Sequence, residues 1–128
     1  ATVPTDTETG YRLALTAFTQ ERYAEATKGF EALLHTYPSS PLTPLVLYWL
    51  GEAYYAQHAY DLATDVFLRF LSVQTSGHRS PSALLKLALI AQAKGQLTEA
   101  RQRLTTLTRD YGASQEAAIA HGLLLSMK

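Results

Sequence analysis

The sequence repeats with a spacing of 37 residues, and this period constrains the fold more than any other feature of the chain. When the chain is shifted by 37 positions, small residues match small ones and bulky residues match bulky ones. Unrelated amphipathic helices would not keep this register, whereas stacked copies of one supersecondary unit require it. The clearest matching sets are Leu13, Leu50 and Leu87; Ala14, Gly51 and Ala88; Tyr23, Tyr60 and Leu97; Ala26, Ala63 and Ala100; Phe30, Phe67 and Leu104; and Leu33, Phe70 and Leu107.

Each repeated unit has the apolar spacing of two α-helices. Leu47, Leu50, Gly51 and Tyr54 follow i, i+3, i+4 and i+7, and a second helical pattern continues from Tyr60. No segment alternates apolar and polar residues between turn residues in the manner of a strand. A fourth copy begins near the C-terminus. We therefore predict an all-α chain with helices over residues 8–20, 23–37, 42–57, 60–74, 81–94, 97–111 and 115–127.

Residues that begin and end helices fall between these segments. Ser40 and Ser80 each precede a proline, which predicts a capping serine followed by proline at the first helical position. Thr43-Pro44 offers a second possible start for the third helix. Gly95 lies where a short turn needs a left-handed residue, and His58 occupies the same position one unit earlier. These signals predict helical hairpins with short turns.

Composition excludes several classes of function. The 128 residues are 47 % apolar and 17 % charged, as expected of one globular domain. Lysine plus arginine equals aspartate plus glutamate, so the chain has no basic surplus for nucleic acid or for an anionic membrane surface. The chain has no cysteine, which excludes disulfides, cysteine-ligated zinc and thiol catalysis.

No pattern of catalytic or metal-binding residues is present in the sequence. The four histidines, His35, His58, His78 and His121, form no closely spaced ligand pair, and no nucleophile elbow or phosphate-binding glycine loop occurs. Acidic residues near the starts of the second helices, such as Glu25, complement the helix dipole. We therefore predict no catalytic residue, no metal and no cofactor, and we expect that the protein is not an enzyme.

The spacing of Leu50-Gly51, Tyr54, Tyr60, Ala63 and Phe67 resembles the tetratricopeptide repeat (TPR) motif. This resemblance implies a TPR-like α-α superhelix made of three helical hairpins and a C-terminal capping helix. It predicts a linker remnant over residues 1–7 and a domain over 8–128, with repeats at about 8–40, 41–77 and 78–114 and the capping helix at 115–127.

The chain resembles one branch of the TPR proteins more closely than it resembles TPR proteins in general. The long loop over residues 37–44, followed by residues 47–55, is similar to the C-terminal domain of the periplasmic Tol-Pal-associated cell-division coordinators, called CpoB or YbgF. That resemblance implies a periplasmic interaction module with a protein partner such as TolA, monomeric as a domain and trimeric in the full protein through an upstream coiled coil. Residues 48–55 are also similar to the assembly lipoprotein BamD. The alternative is a structural subunit or lipoprotein of an outer-membrane assembly or pilus complex.

In a TPR stack, the first helix of each hairpin lines the concave face, so the resemblance also implies a binding groove. A groove lined by aromatic residues with few charges suits an amphipathic helix or an extended peptide with apolar anchors. The alternative is that the aromatic residues belong to the core and that the charges are ordinary solvated ones. The predicted partner-binding residues are Tyr11, Arg12, Phe18, Tyr48, Trp49, Glu52, Tyr55, Lys86, Leu89 and Gln92.

Overall fold

The computed structural model describes residues 6–73 and 77–127, and these residues form seven α-helices and no strand. The all-α prediction is confirmed, and each helix end lies within one residue of its predicted position. Among the described helices, none is long and apolar enough to cross a membrane. The helices are α1 (Thr7–Thr19), α2 (Tyr23–Thr36), α3 (Thr43–Ala56), α4 (Tyr60–Val73), α5 (Ser80–Ala93), α6 (Leu97–Asp110) and α7 (Gln115–Ser126).

The chain divides into two compact units, one with α1 to α4 and one with α5 to α7. In the first unit α1 packs along α2, α3 packs along α4, and α2 packs on α3, so two helical hairpins are stacked. In the second unit α5 packs along α6, and α7 packs on both of them. Of the predicted linker, residues 1–5 lie outside the described residues, and α1 begins at Thr7.

Most of the matching residues of the 37-residue repeat lie in the core of each unit. Burial removes their apolar surface from water, which stabilises the fold by about 1.5–3 kcal/mol for each large side chain. The six residues that mark the close contact between paired helices are all at most 2 % exposed: Ala26, Ala63, Ala100, Phe30, Phe67 and Leu104.

Gly51 shows why a small residue recurs on the first helix of each hairpin. A Cβ atom built on Gly51 would lie 2.6 Å from Cε1 and 2.8 Å from Cδ1 and Cζ of Phe67. Carbon atoms in contact normally stay about 3.5–4.0 Å apart. In the first hairpin the glycine is Gly29, on the second helix of the pair. A Cβ atom built on Gly29 would lie 2.9 Å from Cβ of Ala14. In both hairpins a glycine therefore permits the close approach of the two helices.

A left-handed residue ends the first helix of each hairpin. Gly95 and His58 have φ angles of 76° and 59°, as predicted, and Glu21 has a φ angle of 61° at the matching position of the first hairpin. The residue after each one donates its backbone N–H to a carbonyl five residues earlier, which is the Schellman arrangement. These bonds join Arg22 to Ala17 (2.8 Å), Ala59 to Tyr54 (2.9 Å) and Gln96 to Ala91 (2.8 Å).

The predicted serine caps are wrong. The N-cap residues of α3 and α5 are Leu42 and Arg79, and neither makes a capping bond through its side chain. Before α3 the chain makes a further turn in which Ser40 Oγ accepts the backbone N–H of Leu42 at 3.0 Å, so the helix starts at the alternative position, Thr43. Ser80 is itself the first residue of α5 and is fully buried.

Leu13 differs from the matching residues of the later repeats. Leu50 and Leu87 are each 2 % exposed, whereas Leu13 is 60 % exposed. In the second hairpin α2 packs on α3, the helix that carries Leu50. Among the described helices, none takes the corresponding position on α1.

Candidate functional site

The predicted partner-binding residues lie on the first helices of the hairpins, in both units. Tyr11, Arg12 and Phe18 are on α1, and Lys86, Leu89 and Gln92 are on α5. The remaining four, on α3, are Tyr48, Trp49, Glu52 and Tyr55. The first unit therefore holds seven of the ten residues.

Tyr48 is not part of an exposed wall, so this part of the groove prediction is wrong. Its side chain is 4 % exposed because its ring lies beside α4, 5.5 Å from the ring of Phe70 and 6.1 Å from that of Phe67. Its hydroxyl donates to Oε2 of the half-buried Glu52 at 2.7 Å. Tyr48 is a core residue that anchors the Glu52 carboxylate one helical turn along α3.

Tyr48 belongs to an aromatic cluster that reaches the surface of the first unit. The cluster consists of Tyr23, Phe18, Trp49 and Tyr48, and consecutive ring centroids are 5.4, 5.2 and 5.1 Å apart. Two of these pairs are edge-on and one is tilted, which are favoured arrangements for aromatic rings. Phe18, Tyr23 and Trp49 are all half-buried, so this aromatic cluster joins α1, α2 and α3 and leaves ring surface accessible.

A similar pair of rings recurs 37 residues later. Tyr55 at the end of α3 lies 5.8 Å from Tyr60 at the start of α4, matching Phe18 and Tyr23 at the turn between α1 and α2. Sequence reasoning included Phe18 and Tyr55 but missed Tyr23 and Tyr60. The repeat could have identified both tyrosines, because each one is the first residue of the second helix of its hairpin and they lie 37 residues apart.

The Tyr55 hydroxyl stays neutral well into the alkaline range. Partial burial raises its pKa, and the nearby Tyr60 and the Glu52 carboxylate raise it further. A neutral phenol can both donate and accept a hydrogen bond. Tyr55 therefore combines a half-buried apolar ring with a polar group, the combination that makes tyrosine common in binding sites.

The other predicted residues have more ordinary surroundings. The ring of Tyr11 is half-buried, 6.3 Å from Phe30, and Arg12 is exposed. In the second unit, Lys86 and Leu89 are half-buried and Gln92 is exposed. Within the described residues, no group of three or more histidine, aspartate or glutamate side chains could hold a metal ion. The predicted residues therefore form a surface suited to contact with another molecule, and its main feature is the aromatic rings.

The comparison with protein-family models identifies the class of protein. Two tetratricopeptide repeat models match the chain, one over residues 11–81 and one over residues 82–114. Together they cover most of the 128 residues, and the chain belongs to the tetratricopeptide repeat family. No curated protein sequence matches the chain significantly.

Several solved structures resemble the chain in fold. The type III secretion translocator chaperone SycD of Yersinia enterocolitica has a TM-score of 0.76 and 22 % identity, over 94 % of this chain and 88 % of SycD. SycD in complex with a peptide of the translocator YopD gives a TM-score of 0.76 and 23 % identity, over 94 % and 87 %. A TPR protein of Parabacteroides merdae gives 0.80 and 22 %, over 92 % of this chain and 45 % of that protein. Identities this low show the fold alone.

Proposed function

We propose that this chain is a protein-interaction module that binds a peptide or helix of a partner protein on the face of α1 and α3. The observation that carries the proposal is the aromatic cluster, continued along α3 by Tyr55. Half-buried aromatic rings supply large contact area at low cost in conformational entropy, so they are frequent anchors at interfaces. The SycD complex demonstrates that a protein of similar fold can bind a peptide, which agrees with this class of ligand.

The finer proposal concerns the cellular role. Residues 47–55 are similar to the periplasmic cell-division coordinators, so we infer that the partner is a TolA-like envelope protein and that the chain acts in the periplasm. The support for this role is the sequence resemblance. Lys86, Leu89 and Gln92 remain predicted contact residues on α5, and we expect them to contribute less than the aromatic cluster.

A pair of substitutions on one helix tests the proposed site. Tyr54 and Tyr55 are adjacent half-buried tyrosines on α3, but Tyr54 points to a different neighbour and donates its hydroxyl to Glu31 on α2. Tyr55→Ala should weaken binding of a TolA-type periplasmic domain at least tenfold in isothermal titration, because it removes an aromatic anchor. Tyr54→Ala serves as the matched control and should leave the affinity within twofold.

Two results would reject parts of the proposal. Equal affinities of the Tyr55→Ala variant and the unmodified chain would remove the assignment of the site to α3. If the TolA-type domain does not bind the unmodified chain at all, the inferred cell-division role is wrong. Arg12→Ala gives a further check, because an exposed charge at the rim should change the salt dependence of binding more than its strength.

A further inference from the structure

The first hairpin has an open apolar pocket that the proposed function does not use. The pocket has a volume of 280 Å³ between α1 and α2, and its walls include Leu13, Ala14, Ala17, Gly29 and Ala32. Leu13 at this pocket is 60 % exposed. An exposed leucine beside an apolar hollow is a costly arrangement in water, so this surface is a candidate for a further contact.

The internal repeat identifies what covers such a surface. Five pocket residues have counterparts exactly one repeat later that line a groove on the second hairpin, and the other wall of that groove is formed by α2 through Glu31, Leu34 and His35. In the second hairpin the surface therefore lies against an α-helix, and Leu50 is 2 % exposed there. The matching pairs are Leu13 with Leu50, Ala17 with Tyr54, Glu25 with Leu62, Gly29 with Val66, and Ala32 with Arg69.

The first hairpin differs from the second in the size of these residues. Ala17 replaces a tyrosine, Gly29 replaces a valine and Ala32 replaces an arginine. All three differences remove side-chain volume from the surface between α1 and α2, where the pocket lies. A helix that covers this surface must fill the pocket with a bulky apolar side chain, since an empty apolar pocket forfeits dispersion contacts.

We propose that the first hairpin binds an amphipathic α-helix of a partner protein, placed on α1 and α2 as α2 is placed on α3. A leucine or aromatic side chain of that helix fills the pocket in the position that Leu34 has on the second hairpin. Polar residues one turn before this anchor and directly after it remain at the rim, as Glu31 and His35 do in α2. Glu25 also lines the pocket, but its carboxylate is paired with Arg22 at 2.7 Å, so the apolar wall and not this charge selects the side chain that enters.

A stapled peptide with the sequence of residues 23–36 is a direct probe, because it copies the helix that covers the equivalent surface. Added to the ¹⁵N-labelled chain, it should shift the amide signals of Gly10, Leu13 and Gly29 in a saturable way. Leu34→Ala in the peptide should weaken binding at least tenfold, since it removes the anchor.

Two exposed leucines of the first unit provide the matched variants of the chain. Leu13→Lys should weaken peptide binding at least tenfold, whereas Leu62→Lys, at a position that is 51 % exposed on α4, should leave it within twofold. The proposal is overturned if no saturable shifts occur, or if Leu62→Lys weakens binding and Leu13→Lys does not. It is also overturned if sedimentation velocity shows a dimer of the unmodified chain that Leu13→Lys dissociates, because a second copy would then occupy the pocket.

Discussion

Replacement of Gly51 by alanine tests whether the close approach of α3 and α4 limits the stability of the first unit. Alanine is favoured over glycine in a helix interior by about 0.8–1.0 kcal/mol, so propensity alone predicts a more stable protein. Against this gain, the new Cβ would lie 2.6–2.8 Å from three ring atoms of Phe67. The ring must therefore move by about 1 Å to restore normal contact distances.

Phe67 has little room for this movement. Its side chain is fully buried, and its ring lies 6.1 Å from that of Tyr48. Overpacking in such a core costs about 1–3 kcal/mol. Because Phe67 is fully buried, we take the upper part of this range, about 2–3 kcal/mol. After the propensity gain of about 1 kcal/mol, we expect Gly51→Ala to destabilise the chain by about 1–2 kcal/mol in urea titrations followed by far-UV circular dichroism.

Two controls make the measurement decisive. Gly122 lies inside α7 with no atom within 4 Å of an added Cβ, so Gly122→Ala should stabilise the chain by about 0.5–1 kcal/mol. Phe67→Leu in the Gly51→Ala background should relieve the clash and give a coupling energy of about 1 kcal/mol in a double-mutant cycle. Stabilisation by Gly51→Ala, or a coupling energy near zero, would refute the packing argument.

Three further predictions use matched residues or a single titrating group. His58 and Gly95 both have left-handed φ angles, which favour glycine. His58→Gly should therefore raise the free energy of unfolding by about 1 kcal/mol, and Gly95→Ala should lower it. Thermal melts will show whether each variant is more or less stable than the unmodified chain. Leu50→Ala should cost about 2–5 kcal/mol and Leu13→Ala less than about 0.5 kcal/mol in urea titrations, since only Leu50 is buried. Burial and the hydrogen bond to Glu31 raise the pKa of Tyr54 to about 12. The neutral hydroxyl therefore contributes fully to the free energy of unfolding below about pH 10, and this contribution is lost as the pH rises from about 10 to 12. Over that range the melting temperature should fall more for the unmodified chain than for Tyr54→Phe.

The helices and the hairpin pairing could be predicted because both depend on local and repeated information. Apolar spacing within each unit defines the helices, and the 37-residue period shows which residues play the same role. Glu21 was missed at its turn because glutamate is not a residue type that favours a left-handed conformation. Its distance of 37 residues from His58 was the available signal.

The candidate site was harder to predict, because a repeat gives the type of a residue but not its neighbours. Tyr48, Glu52 and Tyr55 share one face of α3, yet that spacing does not reveal that the rings of α4 cover Tyr48 and leave Tyr55 half-buried. Leu13 and Leu50 have the same residue type and repeat position. Among the residues that the structure describes, a preceding helix packs on the helix of Leu50 but not on that of Leu13, and this difference does not appear in the sequence pattern.

The position of Trp49 has a practical consequence. It is the only tryptophan among the 128 residues, and its indole lies between the rings of Phe18 and Tyr48 in the aromatic cluster. Its emission therefore reports on one place in the molecule, without any attached dye. Light absorbed by Tyr48, whose ring centroid is 5.1 Å away, will pass to the indole by energy transfer. A partner that binds at this surface should change the wavelength and the intensity of the Trp49 emission. Binding can therefore be followed by fluorescence with the unmodified chain.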